Sequence, residues 1–236
     1  MKIVVTGPYA SGKSELIQYL TDGKAINISK RGTTVALDHG ITQVQGIKTV
    51  LFGFPGLIRF RIIRKILAEG ADGIIFVVDS SNKESDARAR LLWREIGFFL
   101  PGLPCVVAAN KQDIEGARDI NEIRKDMSFL VGVPMIPTSA TKGTNVRNLL
   151  GTLMYLIVMQ WSTVFNAFAK YSGEPNGIEK LMKELKISED KAVGYLKRFE
   201  IRRIIEVSLD NKSWTMPDEL KDILTNPVSL MSGLPK

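Results

Sequence analysis

The run Gly7-Pro8-Tyr9-Ala10-Ser11-Gly12-Lys13-Ser14 follows directly on the strand-like stretch Lys2-Ile3-Val4-Val5-Thr6. Its pattern, G-x-x-x-x-G-K-[ST], becomes a phosphate-binding loop when a strand delivers it and a helix follows it. The first N–H groups and the dipole of that helix then face an anion. An ordinary glycine-rich turn between strand and helix is the plainer alternative. It leaves the combination of strand, lysine and serine unexplained. The loop therefore asks for an α/β fold with ligands at the carboxyl ends of its strands. It assigns Tyr9, Ala10, Ser11, Gly12, Lys13 and Ser14 to a nucleotide phosphate group. Lys13 is the cation for the β- and γ-phosphates, and the Ser14 hydroxyl is a ligand for Mg²⁺.

A second phrase names the base. Asn110-Lys111-Gln112-Asp113 follows the apolar run Pro104-Cys105-Val106-Val107-Ala108-Ala109. The Asp113 carboxylate can accept the two N–H donors on the guanine edge, a pair that adenine lacks. Asn110 either holds the purine near N7 or ties its loop to the phosphate loop. The Lys111 stem can lie along the base. Pro137-Thr138-Ser139-Ala140 follows a third short strand, and Ser139, Ala140 and Thr141 complete the base site, with the Ala140 N–H aimed at the guanine carbonyl. The tetrapeptide alone is weak. Joined to the upstream phosphate loop, each after a buried strand, it specifies a guanine nucleotide.

With these motifs in order, residues 1 to about 160 resemble the small Ras-like GTPases. Thr33-Thr34-Val35-Ala36-Leu37-Asp38 and Leu51-Phe52-Gly53-Phe54-Pro55-Gly56 are similar to the prokaryotic branch. That branch includes gliding-motility polarity GTPases and archaeal Arf- or Rab-like proteins. The resemblance implies a Mg²⁺-dependent GTP/GDP switch. It makes Thr34, with Thr33 as the alternative, a ligand to Mg²⁺ and the γ-phosphate, and gives the Gly56 N–H to that phosphate. Lys13, Thr34 and Gly56 are thus the expected catalytic group, and Ser14 and Thr34 the expected metal ligands. Two departures stand out. Gly53 occupies the place of the aspartate that usually holds Mg²⁺ through water, a glycine that the prokaryotic branch tolerates, so the resemblance implies Mg²⁺ carried by Ser14, Thr34 and phosphate oxygens, to which Asp38 or Asp79 could add through water. Leu57 occupies the place of the glutamine that orients the attacking water, which implies slow intrinsic hydrolysis. Tyr9 adds bulk that can obstruct an arginine supplied by an activator, and Arg31 is the cation available within the chain.

Composition bounds the rest. The 236 residues are 44% apolar and 24% charged, as in globular proteins. The single cysteine, Cys105, reads as a buried small hydrophobe. The chain carries no secretory leader, myristoylation start or prenylation box, so a cytoplasmic protein without a covalent lipid anchor is expected. Residues 1–170 carry 21 Lys+Arg against 14 Asp+Glu, and residues 171–236 carry 11 of each. Arg59, Arg61, Arg64 and Lys65, and further on Arg88, Arg90 and Arg94, offer basic faces to an acidic partner or an anionic membrane surface, or are simply solvated.

Alternating strand and helix patterns predict a mostly parallel P-loop sheet with helices on both faces over residues 1–170. Thr21 to Thr33 reads as a polar switch segment. Val35–Val44 and Ile47–Phe52 read as a hairpin about Gln45-Gly46. Residues 148–169 lack charge and read as one core helix; a membrane span is the rival. Residues 171–236 read as a small winged-helix-like interaction domain: two helices, the second capped by Ser188, then a hairpin with its tip at Asp210 to Lys212. Neutral charge favours a protein partner over DNA there. Expected partners are protein effectors and an activating protein or exchange factor. A nucleotide-locked adaptor and a nucleotide-responsive DNA-binding regulator remain as alternatives.

Overall fold

The computed structural model describes residues 1–30, 33–55, 61–208 and 212–232, with backbone alone for residues 27–30, 33–37, 61, 63 and 232. Arg31, Gly56, Leu57, Arg59, Asp210 and Asn211 lie outside the described residues, as does the side chain of Thr34. Two compact units divide the chain: residues 1–42 with 49–157, and residues 43–48 with 158–236.

The first unit is built on a seven-stranded sheet of order β2-β3-β4-β1-β5-β6-β7. Its strands are β1 (Lys2–Thr6), β2 (Ile26–Lys30), β3 (Thr33–Val44), β4 (Ile47–Gly53), β5 (Gly73–Asp79), β6 (Cys105–Asn110) and β7 (Met135–Pro137). β1 runs parallel to both β4 and β5, and β5–β6 and β6–β7 are also parallel. β2 pairs antiparallel with β3. The continuous apolar run of β5 is buried at every position, as a strand covered on both faces must be. The helices are α1 (Lys13–Leu20), α2 (Arg61–Ala68), α3 (Asp86–Phe99), α4 (Ile120–Asp126) and α5 (Val146–Gln160). Leu16, Ile17 and Leu20 form the buried face of α1. Packing on β5 is close: a Cβ at Gly73 would come within 2.7 Å of Ile157 Cδ1 on α5.

β2 falls inside the stretch read as a polar switch segment. Its residues, Ile26-Asn27-Ile28-Ser29-Lys30, alternate apolar with polar, which an edge strand tolerates and which resembles a loop in composition. The turn between β3 and β4 has both central residues in the left-handed region, Gln45 at φ 46° and Gly46 at φ 78°. That geometry matches the twist of a two-residue hairpin.

In the second unit, α6 (Ser162–Lys170), α7 (Gly177–Leu185) and α8 (Glu189–Ile201) precede a two-stranded antiparallel hairpin, β8 (Glu206–Val207) with β9 (Trp214–Thr215). Two further helices, α9 (Asp218–Thr225) and α10 (Ser229–Ser232), follow. Phe168 and Trp214 have ring centroids 4.7 Å apart, and Phe168 and Phe199 4.9 Å. The buried Trp214 donates Nε1–H to Phe168 O at 2.9 Å. The 43–48 tip belongs to this unit: Gln45 Nε2 donates to Ser229 O at 2.7 Å, and Ser229 Oγ donates to Gln45 Oε1 at 3.2 Å. Ser188 stands at the N-cap of α8, but its side chain makes no capping bond.

The apolar segment 148–169 is two helices, not one; the break is at Trp161. Among the described residues no single helix is long and apolar enough to cross a membrane. Trp161 packs against Tyr195 and Phe199, and the Arg198 guanidinium lies 4.4 Å from its ring centroid. The division between units accordingly falls at Ile157/Val158, earlier than the 170/171 boundary read from composition, and α6 groups with the tail.

Candidate functional site

The phosphate loop leaves β1 at Thr6 and enters α1 through Gly12, which is left-handed at φ 94°. The first N–H groups of α1 have no partner within the helix, and no side chain caps them. They are donors for an anion. A Cβ on Gly12 would lie 2.1 Å from Asn110 Nδ2. The glycine therefore makes room for the second motif as well as for a phosphate. Asn110 Nδ2 donates to Ser11 O at 2.9 Å, while Asn110 Oδ1 accepts from Ala140 N at 2.9 Å and Thr138 Oγ1 at 3.2 Å. Of the two roles open for Asn110, the structure shows the tie between loops. The Ala140 N–H, expected on the guanine carbonyl, is given to Asn110 instead, because that carboxamide oxygen is its neighbour in a buried corner.

Lys13 Nζ donates to Pro8 O at 2.6 Å and Gly7 O at 3.1 Å. Desolvation in the loop pushes its ammonium down to about 8, against the opposing pull of Asp38 and Glu15. Tyr9 points out and is 66% exposed, and Ala10 is left-handed at φ 61°. Ser11 is fully buried, and its hydroxyl has no hydrogen-bond partner. A buried orphan hydroxyl beside a ring of free N–H groups fits a polar ligand that supplies acceptors.

Next to this loop, Ala10, Gly12, Asn110, Lys111, Asp113 and Thr141 line a cavity of about 270 Å³. Thr141 Oγ1 donates to Asp113 Oδ2 at 3.2 Å and lies 3.1 Å from Ser139 Oγ. Hydrogen bonding from these hydroxyls, Ser139 first, holds the Asp113 carboxyl below its ordinary range. An ionised acceptor is what two N–H donors require. Lys111 is left-handed at φ 69°, and its Nζ donates to Asp79 Oδ2 at 2.6 Å. Asp79 is thereby committed to the base side of the site, together with Ser81 N and Oγ on its other oxygen.

Asp38, the other candidate, lies against Gly53. Ser14 Oγ donates to Asp38 Oδ2 at 2.6 Å, and Asp38 is buried. A Cβ on Gly53 would fall 3.0 Å from Asp38 Cβ and 3.2 Å from Asp38 Oδ2. The side chain of β3 fills the space where a side chain at the end of β4 would begin. Among the described residues no three or more His, Cys, Asp or Glu converge on a metal position. Ser14 and Asp38 fit Mg²⁺, an ion that takes few protein oxygens and keeps waters and phosphate oxygens.

Arg64, read from sequence as part of a basic face, is buried. Its Nε and Nη2 donate to Glu95 at 2.8 and 2.7 Å and its Nη1 to Pro55 O at 2.9 Å. It anchors the segment that ends β4. Nothing in its local sequence distinguishes it from Arg61 or Lys65; the partner that buries it is on α3.

Sequence comparison gives the family. The family described as 50S ribosome-binding GTPase matches residues 2–111. The mutual gliding-motility protein MglA of Myxococcus xanthus (strain DK1622) is 30% identical over 178 residues, which cover 67% of this chain and 91% of the relative. Rab-like protein 2A of Homo sapiens is 32% identical over 164 residues, covering 67% and 69%. Ras-related protein Rab-27A of Mus musculus is 27% identical over 175 residues, covering 67% and 78%. A strand-delivered phosphate loop sewn by Asn110 to a second motif loop on a mostly parallel sheet, together with these sequence matches, places the chain in the Ras-like small GTPase superfamily, as a protein that binds and hydrolyses GTP.

Proposed function

We propose that this GTPase is a slow-cycling molecular switch whose metal-site carboxylate is supplied from β3. The observation that carries the reading is the 2.6 Å hydrogen bond from Ser14 to Asp38 beside Gly53. Ser14, Asp38 and Thr34 would hold Mg²⁺, which when bound offsets phosphate charge. Lys13 neutralises the β- and γ-phosphates, and the N–H groups opening α1 orient them. Asp113 accepts from the guanine edge. Thr34 and the Gly56 N–H sense the γ-phosphate. Their segments, near Thr34 and from Gly53 to Arg64, order with GTP and present a surface to protein effectors, and to an activator or exchange factor.

Leu57 supports the slow rate: a leucine side chain has no atom that can hold an attacking water by hydrogen bonding. Single-turnover hydrolysis tests this. Leu57→Gln should raise the rate at least about tenfold, and a wild-type rate already equal to that of a partner-activated GTPase refutes it.

The second unit is proposed as a winged-helix-like protein-interaction module, and cytoplasmic action remains part of this reading. The helix-helix-hairpin order supports the module. The even balance of charge over 171–236, with Glu189 and Asp190 exposed at the start of α8, favours protein over DNA. Steeply salt-dependent binding to random duplex would reverse that preference.

A further inference from the structure

Arg118 belongs to neither motif, yet its partners surround the base-reading loop. Its Nη1 donates to Asp86 Oδ2 at 2.7 Å and Asp126 Oδ2 at 2.9 Å. Its Nη2 donates to Asp86 Oδ1 at 3.0 Å and Asp79 O at 3.1 Å, and Nε to Ser80 O at 3.3 Å. All three nitrogens of the fork are engaged, and the side chain is only 12% exposed. The backbone of the same residue continues the pattern. Arg118 N donates to Ser80 O at 2.9 Å, and Arg118 O accepts from Gln112 Nε2 at 3.0 Å. Gln112 Nε2 also donates to Ser80 Oγ at 2.8 Å, and Gln112 N to Thr138 O at 3.1 Å.

One residue thus pins the end of β5, the start of α3 and the end of α4 to the loop that lies between Lys111 and Asp113. That loop needs pinning, because Lys111 is held left-handed, a conformation that costs a non-glycine residue energy unless its surroundings enforce it. Lys111 is fixed by Asp79, and Asp79 O is one of the acceptors of Arg118. Gln112 is fixed by Ser80 and by Arg118 itself. Asp113 follows at once. Its selectivity for guanine depends on meeting two N–H donors together, which tolerates little displacement.

We propose that Arg118 is the positioning residue of the guanine site, setting base selectivity by holding Lys111 and Gln112 so that Asp113 meets both donors of the guanine edge. It touches no nucleotide itself. The inference rests on the proposed role of Asp113, and the test separates the two.

Affinities for GDP and for IDP, which lacks the exocyclic amine, are measured by competition against a fluorescent GDP in wild type, Arg118→Lys, Gln112→Ala and Asp113→Asn. Circular dichroism and melting monitor the fold. Lysine keeps the charge but cannot reproduce the fork. Arg118→Lys should lower the GDP-over-IDP preference about tenfold, the order expected for a hydrogen bond to a charged group. Gln112→Ala, at a partly exposed site, should shift it the same way by a smaller factor. If both variants keep the wild-type preference, or lose GDP and IDP affinity equally, Arg118 is a structural brace and the proposal fails. If Asp113→Asn alone keeps the wild-type preference, the reading of Asp113 falls, and the proposal with it.

Discussion

Exchanging the residues at positions 38 and 53 should move a carboxylate from one strand to its neighbour without losing its use. Three variants make the cycle: Asp38→Gly, Gly53→Asp and both together. In Asp38→Gly the Ser14 hydroxyl loses its 2.6 Å carboxylate acceptor. A hydrogen bond to a charged group contributes about 1.5–3 kcal/mol, so GDP release in excess Mg²⁺ should accelerate roughly 10- to 100-fold. In Gly53→Asp alone, the new Cβ meets Asp38 Cβ at 3.0 Å and Ile17 Cδ1 at 2.9 Å. Overpacking of that kind costs about 1–3 kcal/mol. Two carboxylates then share one pocket, and like charges about 4 Å apart repel by roughly 4 kcal/mol at an effective dielectric of 20. The double variant removes both the Cβ clash and the repulsion. It leaves only the contact with the far end of Ile17, a flexible side chain that can shift. Its release rate should return to within about tenfold of wild type, giving a coupling energy above about 2 kcal/mol. The assay is release of fluorescent GDP followed with Mg²⁺ and again with EDTA, the ratio reporting the metal contribution. If Asp38→Gly keeps the full wild-type ratio, Asp38 is not the metal-site carboxylate.

Other consequences can be checked in the same preparation. Lys13 titrates near 8 in the free protein, and a phosphate beside it would raise that value, so binding takes up a proton above pH 8. GDP affinity should be highest below pH 8 and fall by up to about tenfold per pH unit above it; affinity flat from about pH 7.5 to 9.5 refutes the assignment. Asn110→Ala leaves Ser11 O and the Ala140 N–H unpaired in a buried corner and should cost about 3 kcal/mol in urea unfolding, with loss of GDP binding. Trp214→Phe removes the bond to Phe168 O and part of the core of the second unit. It should lower the stability of that unit by about 2 kcal/mol, read by hydrogen exchange in α6 and α8, while GDP affinity is unchanged.

Where a single local signal dominates, the sequence was readable. β5 is continuously apolar and α1 follows a motif, so both stand where their residues predict. Asn110 was open between base and loop in the sequence, and its bond to the loop depends on Ser11 O, distant in sequence. Asp38 was one of two substitutes for the missing aspartate. Which strand residue lies against Gly53 is a matter of sheet geometry that spacing alone does not reveal. Nor does spacing reveal that Asp79, the other, pairs with Lys111. Arg118 carries no motif, because its function lies in partners 32 residues upstream and 8 downstream that only the fold assembles. The break at Trp161 separates two apolar segments of similar composition, so hydropathy does not mark it; the ring's contacts with Tyr195 and Phe199 do.

β3 is one unbroken strand of 12 residues. It carries Thr34 near its start and Asp38 next to the phosphate loop, and its far end enters a turn whose Gln45 is bonded to Ser229. A γ-phosphate sensor and a metal-site carboxylate on separate strands can disengage one at a time. Mounted on a single strand, as proposed for Thr34 and Asp38, they would form one mechanical part. Sliding that part by one residue would turn every side chain to the opposite face, Asp38 included. Nucleotide release and loss of the metal ligand would then be the same event seen at two points along one piece of backbone.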